Sequence, residues 1–269
     1  MMMTQTATPN LLVERQGAVL RLTLNRPDAL NSLDGELIAA LRSALDEAAG
    51  QPQVRCVVLG ASGRAFCAGQ DLKEAGVAPE GGRAKDLGDV VERNYKPLAL
   101  RLRSMPVPTM AAVNGVAAGA GASLALLCDL VVARRSASFV QAFSAIGLVP
   151  DTGATWTLPR LIGRARALGL TFLGERISAE RAEQIGLIWA CVDDAAFDSE
   201  VVALAARLAA LPVRALAKTR QLLDQGLAGS LEASLEAEAE AQRELGFGFD
   251  FCEGVAAFAE KRPPRFADR

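Results

Sequence analysis

The chain has 269 residues, of which 51% are hydrophobic and 22% charged, and its 29 basic and 31 acidic side chains give a net charge of -2. This is the composition of a globular protein that can bury a large core in one domain, alone or with an appendage. The acidic balance, with a pI of about 5.5, argues against nucleic-acid binding, which normally needs a basic surface. No apolar run approaches the roughly 20 residues of a membrane span.

Histidine is absent from the chain. Ser-His-Asp or Cys-His catalysis and a histidine-ligated zinc site are therefore excluded. Acid–base chemistry must come from Asp, Glu, Lys, Cys or the single tyrosine, Tyr95.

The five cysteines form no CxxC pair, which favours free thiols in a reducing compartment over a disulfide framework. Cys67, beside glycine-rich sequence, is a candidate reactive thiol, although free cysteines usually behave as small buried hydrophobes. The start of the chain, "MMMTQTATPN", lacks the regions of a signal peptide. We therefore expect a cytoplasmic protein.

The first predicted element is a β-hairpin over 11–24 that turns at Gln16 and Gly17, because leucines alternate with other residues along its second half. Strand-like and helical patterns then alternate along the chain. In order, we predict a helix ending near Ala49, a strand at 54–60, a loop at 61–72, a helix at 86–104, a strand at 107–115, a helix at 119–128, an extended segment at 129–141, a helix at 154–173 interrupted at Pro159, a helix at 179–185 and a strand at 187–192.

From about Phe197 the pattern changes to three or four amphipathic helices. Strand–helix alternation followed by a helical segment predicts an α/β core with a helical appendage. The acidic run at 236–244 is interpreted as the solvated face of a helix backed by Leu231, Leu235 and Leu245, rather than as an interaction surface.

Two glycine-rich loops follow predicted strands: "FCAGQDL" at 66–72 and "NGVAAGAGAS" at 114–123. The second has neither a dinucleotide-binding GxGxxG in register nor a GK[ST] motif. Its N–H groups at 119–122 lie at a predicted helix N-terminus, which can bind an anion. If the two loops converge, they could hold an oxyanion. The alternative is that the glycines only permit tight turns and close packing.

The segments "FCAGQDL", "AAVNGVAAGAGASLALLCDLVVA" and "EGVAAFAEKRPPRF" resemble, in wording and spacing, the crotonase (enoyl-CoA hydratase/isomerase) superfamily. Residues 139–194 are similar to its ring-1,2-epoxyphenylacetyl-CoA isomerase branch, from bacterial phenylacetate catabolism. The resemblance implies an α/β fold: a crotonase-like spiral of ββα turns over 1–197 that carries an acyl-CoA site, and a C-terminal helical region over 198–269 that builds homotrimers or dimers of trimers.

The resemblance also implies an oxyanion hole for a thioester carbonyl, with the backbone N–H groups of Ala68 and Ala120 as donors. It places the bound CoA against Ala29, Leu30, Gly69, Gln70 and Asp71, largely through the main chain. Lys261 is expected to reach a CoA phosphate from a neighbouring subunit; the alternative is a solvated surface lysine.

Hydratases of the superfamily use two glutamates, and the matching positions here carry Ser123 and Phe143. Neither side chain is a carboxylate base, which argues against hydration. Asp151, in "LVPDTGATW", matches the carboxylate that faces the acyl chain in isomerase branches, and one carboxylate suffices to remove a proton and return it elsewhere. The alternative is that Asp151 is a turn residue or a helix N-cap.

We therefore expect an isomerase of the epoxide of phenylacetyl-CoA, with 3-enoyl to 2-enoyl-CoA isomerisation as a second activity. An enoyl-CoA hydratase and a non-catalytic acyl-CoA-binding scaffold are the alternatives. Phe139, Phe143 and Trp156 either line a pocket for a ring-sized acyl group or belong to the core. This chemistry requires no metal, flavin or nicotinamide, and we expect neither a nucleic acid nor a membrane as partner.

Overall fold

The computed structural model describes residues 9–81 and 83–269. Residues 1–8, which carry most of the segment used to argue against a signal peptide, lie outside the described residues. The strands are β1 Leu11–Gln16, β2 Val19–Leu24, β3 Cys56–Ala61, β4 Ala65–Cys67, β5 Thr109–Val113, β6 Val116–Ala118, β7 Leu130–Arg134, β8 Ser138–Val140, β9 Ile177–Ser178 and β10 Ala190–Val192. The helices are α1 Gly35–Gly50, α2 Leu87–Val90, α3 Lys96–Arg103, α4 Ala120–Leu126, α5 Ala154–Leu173, α6 Ala179–Gln184, α7 Phe197–Ala210, α8 Val213–Gly226, α9 Leu231–Gly246 and α10 Phe249–Glu260.

Two sheets organise the core. The larger has the order β1-β2-β3-β5-β7-β10, in which only the β1–β2 hairpin is antiparallel. The smaller has the order β4-β6-β8-β9, with an antiparallel β8–β9 pair. The pairs β3–β4, β5–β6 and β7–β8 each give one strand to each sheet, and helices follow each pair. The predicted α/β spiral of ββα turns is confirmed.

Helix α1 shows how the local sequence determines this architecture. The Asp34 side chain caps it by accepting from the Leu37 N–H at 2.8 Å. Leu37, Leu41 and Leu45 recur on one face and are buried in the main hydrophobic core. The helix ends at Gly50, next to the predicted end near Ala49.

Helix α5 deviates from the prediction. The break in its geometry is at Gly163, which has φ 75° and ψ 158°, and not at Pro159. Glycine adopts a positive φ without a Cβ clash, whereas proline has a helical φ and loses only one hydrogen bond.

Two predicted elements are subdivided in the structure. The loop predicted at 61–72 contains β4, and the helix predicted at 86–104 consists of α2, a π-helical turn at Val91–Tyr95, and α3. A strand of three residues is too short to show an alternating pattern. The π-helical turn also has no counterpart in the apolar periodicity.

The C-terminal region consists of the four helices α7 to α10. Helix α7 packs Phe197, Val201 and Ala205 on the larger sheet, where they meet Val58 and Met110. Helices α8 and α9 pack on each other, and α10 packs mainly on α9. The predicted domain boundary at residue 197 stays a prediction. Helix α7, which begins there, covers one face of the larger sheet. Within the described ranges no helix has the length and apolar character needed to span a membrane.

Candidate active site

The two glycine-rich loops are in direct contact, as the sequence predicts. A Cβ on Gly121 would lie 2.5 Å from Cys67 Sγ and 2.7 Å from the Cys67 carbonyl oxygen. A Cβ on Gly69, which has φ 94°, would lie 3.0 Å from the Ala118 carbonyl and 3.6 Å from the Ala120 nitrogen. Glycine is therefore required at both positions for the backbones to approach this closely. The buried Cys67 thiol has a pKa raised to about 12 by desolvation, which argues against a reactive cysteine.

The backbone N–H groups near this contact differ in their hydrogen bonds. Ala120 begins α4, and among the described residues its N–H has no acceptor, as expected in the first turn of a helix. The Ala68 N–H, in contrast, donates to the Leu30 carbonyl at 3.0 Å. The structure therefore supports Ala120 as an oxyanion-hole donor and does not support Ala68.

Gln70 carries a main-chain N–H that differs from that of Ala68. Leu33 pairs with the two residues on either side of Gln70. Its N–H donates to the Gly69 carbonyl at 2.7 Å, and its carbonyl accepts from the Asp71 N–H at 2.8 Å. This bridge leaves the Gln70 N–H without an acceptor in the described part of the chain. Gln70 is half-buried, and its unpaired N–H beside Gly69 is a candidate ligand contact. The N–H in the first loop that can donate to a ligand is thus that of Gln70, whereas the predicted donor, Ala68, has its N–H bonded to Leu30.

The side chain of Asp71 is held within the chain. Arg26 forms ion pairs with Asp71 and with Asp34, both at 3.0 Å. The pKa of Asp71 is lowered, first by the hydrogen bond from the Lys73 N–H and then by Arg26. Any contact of Asp71 with CoA is thus left to the main chain.

Ala29 and Leu30 form the turn before α1, where Leu30 has a left-handed φ of 52°. The turn is fixed by Asn31, which sequence analysis missed. This fully buried side chain donates to the carbonyls of Ser62 and Ala65, both at 2.8 Å, and accepts from the Arg26 N–H at 2.8 Å. A single asparagine in a turn gives no sequence signal for the two long-range bonds to Ser62 and Ala65.

Lys261 lies apart from these loops. It is the exposed C-cap of α10, with a left-handed φ of 54°, and α10 packs mainly on α9. Its predicted contact with a CoA phosphate from a neighbouring subunit stays a prediction.

The two positions that carry glutamates in hydratases hold no acid–base group. Ser123 is fully buried, and its hydroxyl donates to the Gly119 carbonyl at 3.0 Å within α4. The buried ring of Phe143 lies 3.7 Å from where a Cβ on Gly119 would be. Phe143 therefore forms an apolar wall beside the residue that precedes the free Ala120 amide.

Asp151 is half-buried at the turn before α5. Its carboxylate accepts from the Thr152 hydroxyl at 2.9 Å. The N-cap of α5 is Gly153, and no side chain caps the helix, so Asp151 does not serve as an N-cap. Desolvation by burial raises the pKa of Asp151, and the Thr152 hydrogen bond only partly offsets it. A carboxylate desolvated in this way is a stronger base than one in water.

The other aromatic candidates separate into different roles. Phe139 is buried in the main core, on strand β8. Trp156 lies between two guanidinium groups, with Arg160 at 4.2 Å and Arg103 at 5.6 Å from its ring centroid. Phe139 lies opposite Ala117 of the second glycine loop in the β6–β8 pair, and Phe143 lies against Gly119 of the same loop.

This arrangement of ββα turns, two adjoining glycine loops and a single desolvated aspartate corresponds to a known class of protein. The enoyl-CoA hydratase/isomerase family matches residues 14–269, and the chain belongs to that family of enzymes acting on CoA thioesters. It is 47% identical to the 1,2-epoxyphenylacetyl-CoA isomerase of Escherichia coli over 96% of this chain and 98% of that protein.

Two further relatives carry hydratase names. A Rhodobacter capsulatus protein named "Probable enoyl-CoA hydratase" is 48% identical over 92% of this chain and 94% of that protein. The solved enoyl-CoA hydratase of Bacillus anthracis superposes with a TM-score of 0.90 at 31% identity, covering 97% of this chain and all of that one. Similarity to these relatives therefore does not distinguish isomerisation from hydration, and the residues of the site must do so.

Proposed function

We propose that the chain isomerises 2-(1,2-epoxy-1,2-dihydrophenyl)acetyl-CoA, converting the epoxide into the seven-membered oxepin thioester. Conversion of 3-enoyl-CoA into 2-enoyl-CoA is a second activity of the same base. The E. coli relative named as an epoxyphenylacetyl-CoA isomerase supports this choice of substrate.

The observation that carries the proposal is the single desolvated carboxylate of Asp151. Double-bond migration needs one base that takes a proton from carbon and returns it to another carbon, whereas water addition benefits from two. The hydratase positions hold Ser123, whose hydroxyl is bonded to Gly119, and the apolar Phe143. The residues of the site therefore favour isomerisation over hydration.

The oxyanion hole completes the chemistry. In the proposal, the N–H groups of Gln70 and Ala120 donate to the thioester oxygen and stabilise the enolate formed when Asp151 takes the proton. Removing one such donor typically costs about 3 kcal/mol of transition-state stabilisation. The proton that Asp151 takes is the one it returns, so no redox or metal cofactor is required.

We further propose that the chain works in the cytoplasm as a homotrimer or a dimer of trimers. Five free cysteines support a reducing compartment. Phe247, the C-cap of α9, and Phe258, in the last turn of α10, are 89% and 88% exposed and support assembly through the C-terminal helices.

The test is a conjugation assay with the wild type and Asp151→Asn, each given 3-enoyl-CoA, crotonyl-CoA and the epoxide, and followed by the absorbance of the conjugated thioester. We expect the variant to lose about 10²–10⁴-fold in kcat on the 3-enoyl and epoxide substrates. Circular dichroism confirms that the variant folds. Full isomerase activity in a folded variant would contradict the assignment, and consumption of crotonyl-CoA unaffected by the substitution would establish a hydratase.

A further inference from the structure

Tyr95 is buried next to the first glycine loop, and the proposed reaction leaves it without a role. It is the only tyrosine in the chain and is 1% exposed. It ends the π-helical turn Val91–Tyr95, a type of distortion found frequently at functional sites. Its hydroxyl donates to the Gln70 side-chain oxygen at 2.5 Å.

The Gln70 side chain is held from its other end as well. Its Nε2 donates to Glu74 Oε2 at 2.8 Å, and Glu74 Oε1 accepts from the Gly35 N–H at 2.9 Å, at the first residue of α1. A carboxylate accepts and a neutral phenol can donate, so this pair of neighbours fixes which end of the amide faces which partner. Tyr95, Gln70, Glu74 and Gly35 thus form one chain of hydrogen bonds between the π-helical turn and α1.

The backbone of Gln70 is held through its neighbours. Leu33 donates to the Gly69 carbonyl and accepts from the Asp71 N–H, so the planar Gly69–Gln70 peptide, which carries the unpaired N–H, has one hydrogen bond from Leu33. The bonds of the Gln70 side chain to Tyr95 and Glu74 add a second hold on the same residue.

We propose that Tyr95 is a positioning residue for the oxyanion hole: by holding the Gln70 side chain, it holds the Gln70 main-chain N–H where it donates to the thioester oxygen. This inference rests on the proposed function, because it assumes a thioester carbonyl between the Gln70 and Ala120 amides. Tyr95 does not react; it acts through Gln70.

The surroundings of Tyr95 keep its hydroxyl protonated. Burial raises the pKa of Tyr95, and the negative charge of Asp151 raises it further, with smaller contributions from Cys67, Glu74 and Asp34. The Tyr95 hydroxyl can therefore donate to Gln70 in the neutral pH range, where Asp151 must be ionised to act as a base.

The kinetic test compares Tyr95→Phe, Gln70→Met and the double variant on 3-enoyl-CoA. We expect Tyr95→Phe to lower kcat by about 10- to 100-fold with KM within about twofold, since a displaced donor weakens only the transition state. The double variant should be no slower than Gln70→Met alone, because both substitutions break one chain of bonds. Thr109→Val is the matched control: its buried hydroxyl bonds Asp129 at 3.1 Å at the start of β5, and we expect unchanged kcat.

A spectroscopic measurement separates this inference from the proposed function. Binding of cinnamoyl-CoA should shift its absorbance to longer wavelength in the wild type and Thr109→Val, because the hole polarises the carbonyl. The shift should be smaller in Tyr95→Phe and Gln70→Met. If one of these variants fails to fold, the other still tests whether the bond between the two side chains positions the donor. Equal shifts in all four proteins would overturn the role of Tyr95 alone. No binding or no shift in the wild type would contradict the proposed thioester site itself.

Discussion

The loops of Asp71 and Asp151 place the same side chain in opposite environments. Asp71 accepts from a backbone N–H and from the Arg26 guanidinium, and its pKa is lowered. Asp151 has the neutral Thr152 hydroxyl as its partner and is partly desolvated, and its pKa is raised. The partners of Asp71 stabilise its negative charge and fix its loop. The desolvation of Asp151 makes its carboxylate more basic and lowers the stability of the fold. The aspartate suited to proton transfer is the one that the fold leaves poorly paired.

The largest effect expected from this difference is on the pH dependence of the reaction. The rate requires ionised Asp151, so kcat/KM for 3-enoyl-CoA should fall about tenfold per pH unit below the pKa of Asp151. Because that pKa is raised, the acidic limb should lie above 3.8, the ordinary value for aspartate. Stopped-flow conjugation assays across the acidic range measure the limb.

Asp71→Asn is the control for this profile. The pKa of Asp71 is lowered whereas that of Asp151 is raised, so the substitution should leave the position of the limb unchanged. A limb that moves with Asp71→Asn, or one that lies at or below the ordinary aspartate value, would assign the titration to a group other than Asp151.

The features that the sequence predicted are those that depend on local pattern. The hairpin at 11–24 follows from alternating leucines, and helix α1 from leucines that recur on one face and from the glycine at its end. Glycine-rich composition marked the two loops as candidates for one site, and the resemblance to a family implied that they meet. Asp151 was identified as a candidate by its place between proline and threonine and by resemblance to a family.

The features that sequence reasoning missed depend on long-range partners. The choice between Ala68 and Gln70 as donor is decided by Leu30 and Leu33, which are more than 30 positions away along the chain. The burial of Tyr95 against Gln70 requires a π-helical turn that apolar periodicity does not encode. Gly163 rather than Pro159 breaks α5, because a positive φ is invisible in the pattern of apolar residues.

The next effect in size is on stability and concerns Arg26. Its guanidinium holds Asp34, Asp71 and the Ser32 carbonyl, and its side chain is 19% exposed. Arg26→Met keeps much of the volume but leaves two partly buried carboxylates without a positive charge beside them, so we expect the free energy of unfolding to fall by about 2–4 kcal/mol. Urea denaturation monitored by circular dichroism measures the change.

A second arginine with two acidic partners provides the matched control. Arg135 pairs with Glu180 and Asp193, but it lies at the surface, where solvent screens the pairs. Arg135→Met should therefore leave the free energy of unfolding nearly unchanged. Equal losses in the two variants would mean that the Arg26 cluster is no more than an ordinary surface ion pair.

The smallest expected effect is on the melting temperature, and it tests whether the two aspartates change stability in opposite directions. Because the pKa of Asp151 is raised on folding, its ionised form lowers stability above that pKa, and the penalty vanishes as the pH falls. Asp151→Asn should thus raise the melting temperature at pH 7 and lose this advantage in acid. Asp71 is the reverse: its lowered pKa stabilises the fold above 3.8, and this contribution disappears as the pH falls through its folded pKa.

Asp71→Asn should accordingly lower the melting temperature at pH 7, with a deficit that narrows in acid. Differential scanning calorimetry of both variants between pH 3 and pH 7 gives two curves that start on opposite sides of the wild type at pH 7 and approach it in acid. Each shift is expected to be a few degrees, since about 1 kcal/mol corresponds to about 2–4 °C at this chain length. Curves on the same side of the wild type would show that the two carboxylates share one environment, and Asp151 would then lack the desolvation on which its role as a base depends.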